Sequence, residues 1–141
     1  MKRNGMALWK GDLKNGQGTL STDSGVLSET PYSFHTRFED GSGTNPEELI
    51  GAAHAGCFSM ALSMILGQAG LTPESIDTRA SVSLEQAEGG FTITAVHLAV
   101  EAHVPSASDE QFADCARQAK AGCPVSQVLN AEITMDARLL T

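Results

Sequence analysis

Residues 41–70 read GSGTNPEELIGAAHAGCFSMALSMILGQAG, and this stretch decides the fold. Asn45 followed by Pro46 gives an N-cap and a first helical residue, and Glu48, three residues after the cap, stands at the capping-box position. From Leu49 onward Ala52, Ala53, Gly56, Met60 and Met64 recur at three-and-four spacing, so the helix runs from Pro46 to a stop at Gly70. At about 1.5 Å per residue it is roughly 36 Å long, enough to cross a small domain, and its small residues permit close packing.

The segments on either side alternate as strands do. MALWKGDL, GTLSTDSG and PYSFHTRFED are separated by turn residues and read as three strands. In the third, Tyr32, Phe34, Thr36 and Phe38 share one face, and Ser33, His35 and Arg37 the other. After Pro73, SIDTRASVSLEQAE and FTITAVHLAVEAHV flank Gly89 and Gly90 as a hairpin. Ser108 and Gln111 form a capping box for a second long helix that ends at Gly122. A short helical turn from Pro124 to Leu129 and a strand EITMDARLL close the chain. The order βββ-α-ββ-α-β without repeat or linker predicts one α+β domain over residues 1–141.

Composition narrows the function. The 141 residues are 41% hydrophobic, enough for a core, and 17 acidic against 9 basic residues leave a net charge of −8. That balance argues against nucleic acid or an anionic membrane as partner. MKRNGMALWKGD at the start lacks the apolar run of about 7–15 residues that a secretion signal needs, and no long apolar segment is expected elsewhere, so the expected location is cytoplasmic. In that reducing compartment paired cysteines are more often catalytic, redox-sensing or metal-bound than structural, which turns attention to Cys57, Cys115 and Cys123.

Cys57 sits about three turns inside the long helix, beyond reach of its dipole, and a thiol needs to ionise before it can attack an O–O bond. Arg37 is the candidate cation. A unit charge about 4 Å away at an effective dielectric near 20 contributes roughly 4 kcal/mol, enough to lower a thiol pKa by up to ~3 units before desolvation opposes it. Glu47, free of the cap, can hold that arginine bidentately. It lies within about 80° of Cys57 on the helix wheel, but ~15 Å along the axis, so a bend or a second subunit is needed for the two to share an arginine. Cys123 precedes Pro124 as N-cap of the short helix, and exposed N–H groups there acidify a thiol. By acidity alone Cys123 is the better nucleophile. Cys115 reads as a packing residue. His54 with Cys57, or His97 with His103, has partial metal-ligand spacing, but no compact third and fourth ligand follows, and no metal is expected. Neither Cys-x-x-Cys nor a phosphate-binding glycine loop occurs, and no cofactor is expected.

Three segments, TRFEDGSGTNPEELIGAAHAGCFSMAL, KAGCPVSQVLNAEITMDARL and LWKGDLKNGQGTLSTDSGVL, resemble the OsmC (osmotically inducible protein C) branch of the OsmC/Ohr family of thiol-dependent peroxide reductases, and the likeness covers nearly the whole chain. The resemblance implies an OsmC-like fold in an intertwined homodimer, with two long central helices covered by antiparallel sheets. It places Cys57 at the peroxidatic position, Cys123 at the resolving position, Arg37 at the active-site arginine and Glu47 at its carboxylate partner. It implies reduction of hydroperoxides through a Cys57 sulfenic acid and a Cys57–Cys123 disulfide, in defence against oxidative or osmotic stress, with a lipoyl-type dithiol as reductant. The Met-lined, small-residue surroundings favour organic hydroperoxides over hydrogen peroxide. The alternatives are a redox-switched sensor or binding protein that uses the same disulfide without efficient turnover, and a stress-related small-molecule binder with incidental cysteines.

Overall fold

The computed structural model describes residues 1–140 and divides into two compact units, Met1–Leu49 and the chain from Ile50 onward. In the first, β1 (Gly5–Lys10), β2 (Gln17–Thr22) and β3 (Thr30–Tyr32) form an antiparallel sheet in that order. The β1–β2 turn is an Asx structure: Asp12 Oδ1 accepts from Asn15 N at 3.0 Å, and Gly16 N donates to Asp12 O at 2.9 Å. Trp9 and Tyr32 tilt against each other with ring centroids 5.4 Å apart, over Gly18, where a Cβ would strike both rings.

The expected third strand ends early. Residues Phe34–Phe38 form a one-turn helix, α1, because Ser33 and Thr36 cap each other: Thr36 N donates to Ser33 Oγ at 3.3 Å and Ser33 N to Thr36 Oγ1 at 2.8 Å. The face assignments made for an extended segment therefore fall. Arg37, expected to point away from the aromatics, has its guanidinium carbon 5.3 Å from the Phe38 ring centroid.

The helix expected from Pro46 is present as α2 (Pro46–Gln68), with Glu48 N donating to Asn45 Oδ1 at 2.8 Å. The Glu48 carboxylate accepts from Thr44 Oγ1 at 2.6 Å, so the reciprocal half of the cap lands on the preceding threonine. Contrary to the expectation of no long apolar segment, α2 contains an 18-residue window of mean hydropathy 1.7, long and apolar enough to cross a membrane by length and composition.

In the second unit, β4 (Ser75–Ala87) and β5 (Gly90–His103) form the expected hairpin, turning on Gly89 and Gly90 at φ +90° and +130°. Helix α3 (Asp109–Gly122) carries the expected Ser108–Gln111 capping box, α4 spans Pro124–Val128, and β6 covers Glu132–Leu140. The sheet order is β4-β5-β6, and β6 runs parallel to β5. The sheets are thus not antiparallel throughout: the α3–α4 crossover brings the chain back to its starting end, as parallel pairing requires.

The core of this unit joins three surfaces. Phe58, Leu62 and Leu66 come from one face of α2, Val96, Leu98, Val100 and Ala102 from β5, and Phe112, Cys115, Ala116 and Ala119 from α3. Each fully buried leucine or phenylalanine stabilises the unit by about 1.5–3 kcal/mol. Gly51 lets α2 approach β4, since a Cβ there would lie 3.1 Å from the Ala80 carbonyl oxygen. The opposite face of α2 is uncovered: Ala52, Ala53, Gly56, Met60 and Met64 are exposed, Met60 at 78%.

Candidate active site

The site residues fall into two pairs, one in each unit. In the first, α1 presents Arg37 and the first turn of α2 presents Glu47. Arg37 Nη2 donates to Glu47 Oε1 at 2.8 Å, and Arg37 Nε to Oε1 at 3.0 Å and Oε2 at 3.3 Å. Glu47 is buried and Arg37 is partly open, so the carboxylate fixes the guanidinium while leaving a cationic edge accessible. The loop between them is tied down by Thr44 N donating to Pro31 O at 3.0 Å and Asn45 Nδ2 to Thr36 O at 3.0 Å. Within it Gly43 has φ +122°, and a Cβ would run into Pro31 O, so only glycine fits.

In the second unit, Cys57 lies on α2 one residue before the buried Phe58, partly exposed at the edge of the core. Cys123 is the point where two helices meet. It is the C-cap of α3, its N–H donating to Ala119 O at 3.0 Å, and the N-cap of α4, with Pro124 at the first helical position. Its side chain is fully buried. All three cysteines are free, and the Cys123 and Cys57 Sγ atoms are hydrogen-bonded at 3.0 Å. A disulfide is about 1 Å shorter, so a small side-chain movement joins them. Cys115, buried in the same core, is inert by position: burial and the Asp114 carboxylate push its thiol up.

The two thiols differ in acidity as the helix-junction argument expects. Burial, the hydrogen bond with Cys123 and the charge that Cys123 carries push Cys57 up, against one backbone hydrogen bond from Val125. Burial also opposes ionisation of Cys123, but hydrogen bonds from Cys57, the Ser126 backbone and hydroxyl, and the Val125 backbone outweigh it and bring this thiol down. Of the two, Cys123 is the thiol favoured for ionisation and Cys57 the one disfavoured.

Two further side chains belong to this cluster. His54, fully buried one turn before Cys57, places Nε2 2.7 Å from Ser126 Oγ. The sequence marks His54 only by a partial metal-ligand spacing with Cys57 and gives Ser126 no role. The available signal was the position of Ser126, third residue after the Cys123 N-cap of α4.

A solvent-reachable thiol on a helix, in contact with a buried, acidified second thiol within an α+β frame, is an arrangement suited to two-cysteine redox chemistry. Residues 39–138 match the family described as OsmC-like protein, and the chain belongs to that family. It is 60% identical over 137 residues, 97% of this chain and 96% of the relative, to the protein named Peroxiredoxin OsmC of Escherichia coli K12. It is also 28% identical to Organic hydroperoxide resistance protein OhrB of Bacillus subtilis, over 86% of this chain and 88% of that one. The crystal structure of Bacillus subtilis OhrB superposes with a TM-score of 0.74 at 25% identity, over 96% of this chain and 98% of that one.

Proposed function

We propose that the chain reduces organic hydroperoxides at Cys57 and closes each turnover with a Cys57–Cys123 disulfide. It is a thiol-dependent peroxidase of the OsmC type, and its reaction consumes a hydroperoxide and a reductant. The observation that carries the residue assignment is the 3.0 Å approach of one partly exposed and one fully buried sulfur. Access selects the nucleophile here. Cys123 is the thiol favoured for ionisation, but a peroxide reaches Cys57 first.

In the first step the Cys57 thiolate attacks the terminal oxygen of ROOH. An S–O bond forms, the O–O bond breaks, and RO⁻ leaves and takes a proton to become the alcohol, with Cys57 oxidised to the sulfenic acid. Arg37, oriented by Glu47, draws the negative charge onto Cys57 and stabilises the departing oxygen. In the second step Cys123 attacks the sulfenic sulfur. The S–S bond forms as the S–O bond breaks, and hydroxide leaves with the Cys123 proton as water. A lipoyl-type dithiol then reduces the disulfide by exchange, itself becoming a cyclic disulfide.

The chain acts as a single domain in a cytoplasmic homodimer. The uncovered small-residue and methionine face of α2 supports that assembly, since two such faces bring helices into close contact. The assembly also answers the ~15 Å axial separation of Glu47 from Cys57, because a second subunit can supply the arginine pair. Steady-state consumption of cumene hydroperoxide with dihydrolipoamide, together with peptide mapping of the oxidised protein, tests the reading. Continued turnover and a Cys57–Cys123 peptide pair are expected. A stoichiometric burst without turnover would assign the pair to sensing instead.

A further inference from the structure

Side chains of α2 meet those of the α4 segment at two levels, and the peroxidase mechanism uses one of them. Cys57 and Cys123 touch sulfur to sulfur at 3.0 Å, and His54 Nε2 lies 2.7 Å from Ser126 Oγ. His54 precedes Cys57 by three residues on α2, while Ser126 follows Cys123 by three, from the N-cap of α4 to its third residue. The partners therefore run in opposite order, 54 with 126 and 57 with 123, as two cross-links about one helical turn apart. A single contact is a pivot about which a short helix still swings. Two contacts a turn apart fix its orientation as well.

Helix α4 needs such fixing. It is five residues long, too short to be stable by itself, and Ser126 is its buried residue. Val125 is half-buried against the core, and Pro124, Gln127 and Val128 are exposed. Against this thin apolar hold stands a hydrogen bond from a fully buried ring. Burying an imidazole is costly unless it is hydrogen-bonded, and Nδ1 is buried without a partner, so the bond to Ser126 is what compensates the ring. An aliphatic side chain would fill a core position without that cost. Burial lowers the His54 pKa and keeps the ring neutral, and the bond forms whichever of the two groups donates.

We infer that the His54–Ser126 hydrogen bond positions Cys123 against Cys57: it holds α4 on α2 while the sulfur contact is broken and remade, and so sets how readily the disulfide closes. His54 is a positioning residue that acts through Ser126 and α4. Without the bond, α4 gains freedom in the dithiol form, whereas in the disulfide form the covalent link still restrains it. The dithiol is thereby favoured, and the effective concentration of one sulfur at the other falls. This inference rests on the Cys57–Cys123 pairing proposed above and extends it to the residues that keep the pair in register.

The test is the dithiol–disulfide equilibrium of the full-length protein in glutathione buffers, read by thiol alkylation and mass spectrometry in a Cys115→Ala background, where Cys57 and Cys123 are the only thiols. His54→Phe and Ser126→Ala are each expected to lower the effective concentration of the pair by ~10-fold, the worth of one hydrogen bond, and the double variant by no more. His54→Gln, which restores a polar group near the Nε2 position, and Ser126→Thr, which restores the hydroxyl, should each recover most of it. Urea unfolding of both redox forms separates positioning from support of the fold. A positioning bond stabilises the disulfide form more than the dithiol form, whereas a residue that only supports the fold stabilises both alike and leaves the glutathione equilibrium unmoved. Where His54→Phe fails to fold, Ser126→Ala against Ser126→Thr makes the same comparison. An equilibrium unmoved in folded Ser126→Ala, or equal loss of stability in the two redox forms, would overturn the inference. No peroxide enters the experiment, so a parent protein without peroxide turnover sinks the catalytic reading alone, and a parent that forms no Cys57–Cys123 disulfide in glutathione sinks this one.

Discussion

Cys57 and Cys123 touch through their sulfurs at 3.0 Å, yet one is partly open to solvent and the other fully buried. The contact joins the middle of α2 to the junction of α3 and α4, and in the proposed mechanism their unequal exposure sets the order of events. Cys57→Ser is expected to reduce peroxide consumption by more than about 100-fold, since no other thiol is both accessible and coupled. Cys123→Ser should leave one turnover that stops at a Cys57 sulfenic acid. Stopped-flow peroxide loss and dimedone labelling followed by mass spectrometry distinguish the two.

Arg37 and Glu47 form a bidentate pair with the carboxylate buried. Arg37→Ala leaves that carboxylate unpartnered and should destabilise the protein by roughly 2 kcal/mol in addition to slowing peroxide reduction. Arg37→Lys should recover charge without the fork geometry, and hence only part of the activity. Urea unfolding and initial rates measure the two effects separately.

Gly43 holds the loop between those residues at φ +122°, where a Cβ would strike the Pro31 carbonyl. Gly43→Ala is expected to cost about 1–3 kcal/mol and to lower activity by displacing Arg37 relative to Glu47. Equal activity and an unchanged unfolding midpoint would contradict this account of the loop.

His54 is fully buried, and its pKa is lowered by burial. Below its unfolded pKa of about 6.5 the unfolded chain binds a proton that the folded one does not, so stability is full above that pH and is lost as pH falls toward the folded value. The slope attributable to this group is at most about 1.4 kcal/mol per pH unit. Urea titrations at pH 5–7 should show it, and His54→Gln should flatten it.

The exposed face of α2 carries Met60 at 78% and Met64 at 60% exposure, with Gly56 open beside them. Met60→Lys is expected to convert a dimer to monomer in light-scattering measurements and to lower activity with it. A monomeric parent protein would remove the proposed assembly.

The sequence made α2 legible because Asn45-Pro46 and the spacing of small residues are local signals, and the role of Glu47 followed from the position of Glu48. Residues 34–38 misled because aromatic alternation fits a strand as well as a single helical turn; the deciding signal was Ser33 with Thr36, a capping pair that lacks the usual Glu or Gln. The direction of β6 was not encoded in its own residues but in the α3–α4 crossover before it. His54 and Ser126 are 72 residues apart, and no local pattern joins them. The lowered pKa of Cys123 was readable from Pro124, whereas the proposal of Cys57 as attacking thiol rests on access, a property of the folded surface.

Cys123 is shared by two helices and lies 66 residues from Cys57 along the chain. A covalent link there closes a large loop and removes chain entropy from the unfolded ensemble, by about 4 kcal/mol for a loop of this length. On the proposed mechanism each unrepaired turnover leaves behind a sturdier molecule than the one that began it. The enzyme starved of reductant accumulates in its most heat-resistant form, and its melting temperature becomes a gauge of how well the dithiol supply keeps pace with peroxide.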